Sequence, residues 1–184
     1  MSNGVSLLRD ERGGAHVLLF GLMAVIFSVA LFVVSLDWML QSANKTKTKL
    51  VLDRAAHAAA INIDPMEAAY GRLVWDQAAG TADFYKYLHM NMRLDSQGKP
   101  QTGSYLTEAP VVHMLQFVSA PSYPVVLHQS VVVRAGTAEE TVRNVDVTVY
   151  GPSVIAVVEV HHRVTGTGRV EPIVLSSVAS VRFR

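Results

Sequence analysis

The sequence predicts an α+β protein: a long N-terminal transmembrane helix continuing into an external helical stalk, then a small domain of helix plus antiparallel sheet. Three observations predict it. Val17 to Leu36 carries no charge, Asp37 to Ile61 holds neither Gly nor Pro, and the chain beyond Thr107 turns to Val-, Thr- and Tyr-rich runs of strand period. Hydrophobic residues make up 50% of the 184 and charged residues 17%, against about 25% charged in soluble chains. That balance excludes a disordered, self-solvating polypeptide. A net charge of +1 gives no electrostatic footprint for nucleic acid. The absence of cysteine excludes a disulfide framework, a thiolate zinc site and a cysteine nucleophile.

Residues 1–16 read as a short leader and 17–36 as the transmembrane helix, because about 20 apolar residues at 1.5 Å rise cover the ~30 Å hydrocarbon core. No small-residue cleavage site follows the run, which continues as Asp37-Trp38-Met39-Leu40-Gln41, so it reads as an uncleaved anchor. Trp38 falls where an interfacial anchor belongs. Arg9 and Arg12 stand before the span and Lys45, Lys47, Lys49 and Arg54 after it. Counted alone these favour a cytoplasmic C-terminus, but the lysines begin where the bias fades, and charge leaves the orientation open.

The stalk, 37–61, is expected to carry an apolar seam of Leu40, Ala43, Leu50, Ala55, Ala58 and Ala59, with its Ala-rich end docking on the domain or on a partner helix. Asn62-Ile63-Asp64-Pro65 ends it. The α+β domain, 65–184, starts helical over 65–95, with Asp64 as cap, Pro65 at the first position and a break at Ala79-Gly80. Phe84, Tyr87, Leu88 and Met92 form its apolar face. The β-rich part, 107–184, holds strands near 111–118, 125–134, 141–150, 153–164 and 172–183, the last after a turn at Thr165-Gly166-Thr167-Gly168. Alternation in Val145-Asp146-Val147-Thr148-Val149 suits a sheet with one wet face.

Chemistry is sparse. Of seven histidines, His161 and His162 are adjacent in a strand and point to opposite faces. Glu159 and His161 share a face, but nothing in the sequence selects His113 or His128 as a third ligand, so no metal is assigned. Dinucleotide, Walker and Gly-x-Ser-x-Gly patterns are missing. No catalytic residue, cofactor or small-molecule substrate is inferred, and the chain does not read as an enzyme. Asp76 and Asp83 are a conceivable carboxylate pair, more plainly a solvated helix face. The alternating lysines suit either a solvated face or anionic headgroups.

The first sixty residues resemble the TadE/TadG-like proteins of tight-adherence (Flp/Tad) pilus systems. The resemblance lies in Glu11-Arg12-Gly13-Gly14-Ala15, the span, Asp37 after it, and Lys49-Leu50-Val51-Leu52-Asp53-Arg54-Ala55-Ala56-His57-Ala58-Ala59-Ala60. It implies a single-pass, pilin-like structural or assembly component of the cytoplasmic membrane, its C-terminal domain extracytoplasmic and its partners lipid and other pilus or secretion-system membrane proteins. The implied motif residues are Arg12, Gly13 and Gly14 in the leader, Asp37 and Trp38 at membrane exit, and Leu50, Asp53, Ala55, Ala56 and Ala59 for stalk packing. Pseudopilins of this family are cut after a Gly and carry Glu at the fifth mature position. Here that position is Leu18 or Leu19, which moves the chain toward TadG-like or uncleaved relatives. The alternative is a single-pass protein with an extracytoplasmic ligand-binding or sensory domain.

Overall fold

The computed structural model describes residues 11–164 and 168–181. Residues 1–10 of the leader, most of the turn at 165–168 and the end of the last expected strand lie outside the described residues. The fold is α+β, with one long apolar N-terminal helix and a small antiparallel sheet domain. The chain divides into two compact units, Met1–Leu40 and Gln41–Arg184.

The first unit is helical where described. Helix α1 spans Glu11–Ala60, and every residue from Val17 to Leu36 is exposed. The two hydroxyls between Val17 and Leu36 are satisfied within the helix: Ser28 Oγ donates to Ala24 O and Ser35 Oγ to Leu31 O, each at 2.8 Å.

In the second unit the remainder of α1 becomes one-sided. Thr48, Leu52, Ala55, Ala56 and Ala59 are buried at i, i+3 and i+4 spacing. Leu50, expected in the seam, is 54% exposed. Two residues turn a helix by about 200°, which sets position 50 opposite 48 and 52. Asn62 to Asp64 leads into helix α2, Pro65–Ala69, whose first turn is capped by Asp64 accepting from Met66 N at 2.8 Å and Glu67 N at 3.4 Å. The expected helix over 65–95 is interrupted earlier than Ala79-Gly80. Gly71 takes φ +74°, and Ile63 bridges back to Trp75, closing a loop before helix α3, Gln77–Met92. Asp76 caps α3 by accepting from Ala79 N at 2.9 Å, and Asp83 accepts from Asn62 Nδ2 at 3.0 Å, so neither is a mere solvated charge. The buried face of α3 is Gly80, Phe84, Leu88 and Met92, while Tyr87 stays exposed.

The strands are β1 Val111–Val118, β2 Val125–Val133, β3 Thr141–Val149, β4 Ser153–Arg163 and β5 Val170–Ser180. They form two antiparallel sheets rather than one, a three-stranded sheet of order β1-β4-β5 and a β2-β3 ribbon. Val154, Ala156, Val158 and Val160 of β4 join Leu52, Ala55, Ala59, Phe84, Leu88 and Met92 in the main core. On the opposite face Ile155 joins Val118, Val147 and Val149 beneath the ribbon. The helices therefore cover one face of the sheet and the ribbon the other. β4 runs between them with every residue from Ser153 to His162 buried. The ribbon keeps the one wet face read from its alternation, with Val147 and Val149 inward and Asp146 and Thr148 outward.

Helix crossing is tightest at Gly80, where an added Cβ would lie 2.9 Å from two ring carbons of Phe117 and 3.0 Å from Ala59 O. Alanine gains about 1 kcal/mol in helix propensity over glycine, but overpacking costs about 1–3 kcal/mol, and a carbonyl oxygen cannot rotate away. Gly80→Ala is expected to lower stability by about 1–2 kcal/mol, measured by thermal unfolding of the full chain in detergent. A raised Tm would show that the crossing yields freely.

Candidate functional site

The chemistry of the sheet domain gathers at one end of β4. Glu159 and His161 lie two residues apart and share the ribbon-facing side of the strand. The third contributor depends on an irregularity. β1 pairs Val112 with Val158 but Met114 with Val157, so His113 is the extra residue of a β-bulge. A bulge re-aims a side chain. Val112 packs toward the helices, and Met114 packs under the ribbon. His113 is turned to the same side as Met114 and reaches Glu159.

Glu159 is 2% exposed, accepts two hydrogen bonds and has a second imidazole close by. His113 Nε2 donates to Oε2 at 2.7 Å, His161 Nε2 stands 3.0 Å from Oε1, and Arg134 N donates to Oε1 at 3.1 Å. The last comes from the β2-β3 hairpin, whose first turn residue, Arg134, takes φ +53°. The Arg134 guanidinium pairs with Glu139, and Arg169 lies 3.7 Å from the same carboxylate. His161 Nδ1 lies 3.3 Å from Glu108 Oε2 but is buried without a hydrogen-bond partner. These groups line a cavity of about 610 Å³ whose apolar wall is Val111, Val132, Ala135 and Val170. The site thus sets three carboxylates against two guanidinium groups and two imidazoles.

His162 faces the other way, as strand geometry requires. Asn44 Nδ2 lies 3.0 Å from its Nδ1, so the amide donates and the ring proton sits on Nε2. His128 is on the outer face of the ribbon, paired with Asp146 at 2.7 Å, and does not line the cavity. Among the described residues no three His, Asp or Glu side chains converge as metal ligands.

The residues singled out from sequence sit elsewhere. Arg12, Gly13 and Gly14 lie in α1, the Arg12 side chain outside what the structure describes; Asp37 is half-buried and Trp38 exposed. Ala55, Ala56 and Ala59 are fully buried in the main core, so the Ala-rich end of α1 docks on its own domain. Asp53 pairs with Lys49 and accepts from Ser177 Oγ at 2.6 Å, tying α1 to β5. Lys47 stands 4.3 Å from the ring centre of Tyr105. Burial raises the Tyr105 hydroxyl above its usual 10.0, against the opposing effect of a hydrogen bond from Thr48. Glu108 and Arg134 escaped the sequence reading, and His113 was not distinguished there from His128. The shared face of Glu159 and His161 was the one available signal.

Two outcomes are expected. Glu159→Ala strands the donors His113 Nε2 and Arg134 N and should cost about 3–5 kcal/mol, as breaking a buried charged pair does; a loss below about 1 kcal/mol in thermal unfolding would mean that the donors find water instead. For Tyr105, both states are protonated below pH 10.0. As pH rises past that value the unfolded chain ionises first, so stability falls toward the raised folded pKa. Tyr105→Phe should remove that part of the alkaline slope in Tm against pH, and an unchanged slope would exclude Tyr105 as its source.

Comparison with protein-family models, curated proteins and solved structures finds no match to this chain.

Proposed function

We propose that the chain is a membrane-anchored, pilin-like structural or assembly component of a Tad-type pilus or related secretion apparatus. In this reading residues 17–36 cross the cytoplasmic membrane, 37–61 join the span to the domain, and the domain lies outside the cytoplasm.

One observation carries the anchor. Within α1, Val17 to Leu36 is apolar on all sides, and none of it is covered by the rest of the chain. A helix of that kind needs a hydrophobic surrounding. Large side chains such as Phe20, Phe27 and Phe32 stand 63–70% exposed, and burying each is worth about 1.5–3 kcal/mol. Lipid supplies that burial along the whole length. The internal bonds of Ser28 and Ser35 leave no hydroxyl donor unmet there. Trp38 follows at the depth where an indole favours the interface. The pilus part rests on the order of leader, span, Asp37 and the Leu50–Ala60 segment in the sequence. The cavity beside Glu159 favours the second reading, a single-pass protein whose outer domain binds a ligand.

The native protein should resist extraction by alkaline carbonate, and protease added to spheroplasts should digest its domain. Ile26→Lys, near the middle of the span, costs about 2.5–3.5 kcal/mol of insertion and should shift protein to the soluble fraction. Extraction of the unmodified chain by carbonate would end the anchor reading. Cross-linking in intact cells should capture other pilus or secretion components. Retention in the membrane without such partners would leave the anchor standing and remove the pilus.

A further inference from the structure

We propose that the chain self-associates through the outer edge of β2, which pairs antiparallel with β2 of a second copy across a two-fold axis. The inference stands apart from the pilus reading. β2 is bonded to β3 on one side, and among the described residues no backbone group of Val125–Val133 bonds to any other segment of main chain. An open strand edge is a template for another strand, and proteins guard theirs with charge, proline, a bulge or a cover. The other outer strands carry such guards. β1 has its bulge at His113, β5 holds Glu171 and Pro172, and β3 holds Arg143 and Asp146 and lies against β5. β2 is nine residues without Asp, Glu, Lys, Arg or Pro and without a register shift.

The occupant follows from the strand's own sequence. Val-Val-Leu-His-Gln-Ser-Val-Val-Val has an apolar triplet at each end and a polar centre. Run antiparallel about Gln129, the triplet 125–127 of one copy opposes 131–133 of the other, His128 opposes Ser130, and Gln129 meets its own counterpart. Apolar residues then face apolar residues, polar face polar, and no like charges meet at the seam. Sliding the pair by two residues in either direction sets Gln129 against Leu127 or Val131. The matched register also joins the outer faces of the two ribbons. There Val126 and Val132, 48% and 39% exposed, cover each other. Two ribbons, each a marginal unit alone, become one four-stranded sheet. The contact is isologous, so it closes at two copies.

The sequence has no cysteine, so an introduced thiol reports its own neighbours. Opposed Cα atoms of antiparallel strands stand about 4.5–5.5 Å apart, within the ~4.4–6.8 Å that a disulfide spans. Full-length Gln129→Cys in detergent, mildly oxidised, is expected to run as a covalent dimer. Val126→Cys should not, because it faces Val132 and lies about six residues, ~20 Å, from its own counterpart. The double variant Val126→Cys/Val132→Cys should cross-link again. In the Gln129→Cys background, Val126→Lys/Val132→Lys sets like charges opposite each other at two pairs. Dimer yield should fall about tenfold, whereas Val126→Lys/Val132→Glu should restore it. Both positions are exposed, so these variants retain the fold, checked by circular dichroism. Absence of a Gln129→Cys dimer, or equal cross-linking by Val126→Cys alone, overturns the proposal. Cross-linking of Gln129→Cys in intact cells only to a different polypeptide also overturns it, and assigns the edge to a foreign strand.

Discussion

Because β4 lies at the centre of its sheet, with helices against one face and the β2-β3 ribbon against the other, each side chain from Ser153 to His162 is apolar or has at least one polar group close to it. The even positions meet this with Val154, Ala156, Val158 and Val160, which pack on the Ala-rich stripe of α1 and on α3. Small residues on both surfaces bring helix and sheet close, and that closeness leaves no room for a Cβ at Gly80. The odd positions begin apolar, with Ile155 and Val157, and end polar, with Glu159 and His161. The polar end is tolerable only where donors reach it. Ser153 at the other end meets the same demand through Ser180 Oγ at 2.8 Å.

Much of this was legible in the residues, and the rest fails for identifiable reasons. Val- and Thr-rich composition marks all five strands, and in β3 the alternation is clear because a half-buried strand repeats every two residues. It does not say which strands pair. A ribbon folded over a second sheet and a single five-stranded sheet have the same period, and only the long-range packing of Val147 and Val149 on Ile155 separates them. The bulge at His113 is hidden for a sharper reason. Alternation assigns 112 and 114 to one face, whereas one inserted residue sends them to opposite faces. Leu50 was misplaced because composition marks a residue as apolar without fixing which side of a helix its tertiary contacts choose. The interruption after α2 depends on Ile63 bridging Trp75, a contact across twelve residues that no local signal encodes.

Helix α1 answers two environments in one element. From Val17 to Leu36 its side chains are uncharged and largely apolar in every direction, a pattern that a surface helix of a soluble domain does not use. From Thr48 onward burial keeps to one side, and the other side carries the exposed Lys47 and Arg54. Lys49 and Asp53 occupy the border between these surfaces. The pair of Asp53 with Lys49 and its bond from Ser177 satisfy a carboxylate that would otherwise sit unpartnered at the edge of the core.

A buried carboxylate is an expensive way to fasten a ribbon to a sheet. Apolar replacements of similar volume are often as stable or more so, since they avoid desolvating charge. What apolar residues lack is register. A valine-rich ribbon such as β2-β3 can slide by two residues over Ile155 and Val157 and still present a hydrophobic face. Glu159 allows no such slip, because its donors come from the bulge in β1 and from the first residue of the hairpin turn. Displacing either leaves the carboxylate without that partner. His161 lies beside the same carboxylate, its Nε2 3.0 Å from Oε1, and its Nδ1 stands 3.3 Å from Glu108 Oε2 at the wall of the cavity. The polar end of β4 thus fixes the fold's arrangement and orients the group best placed for chemistry, and the former explains why the latter can be held still.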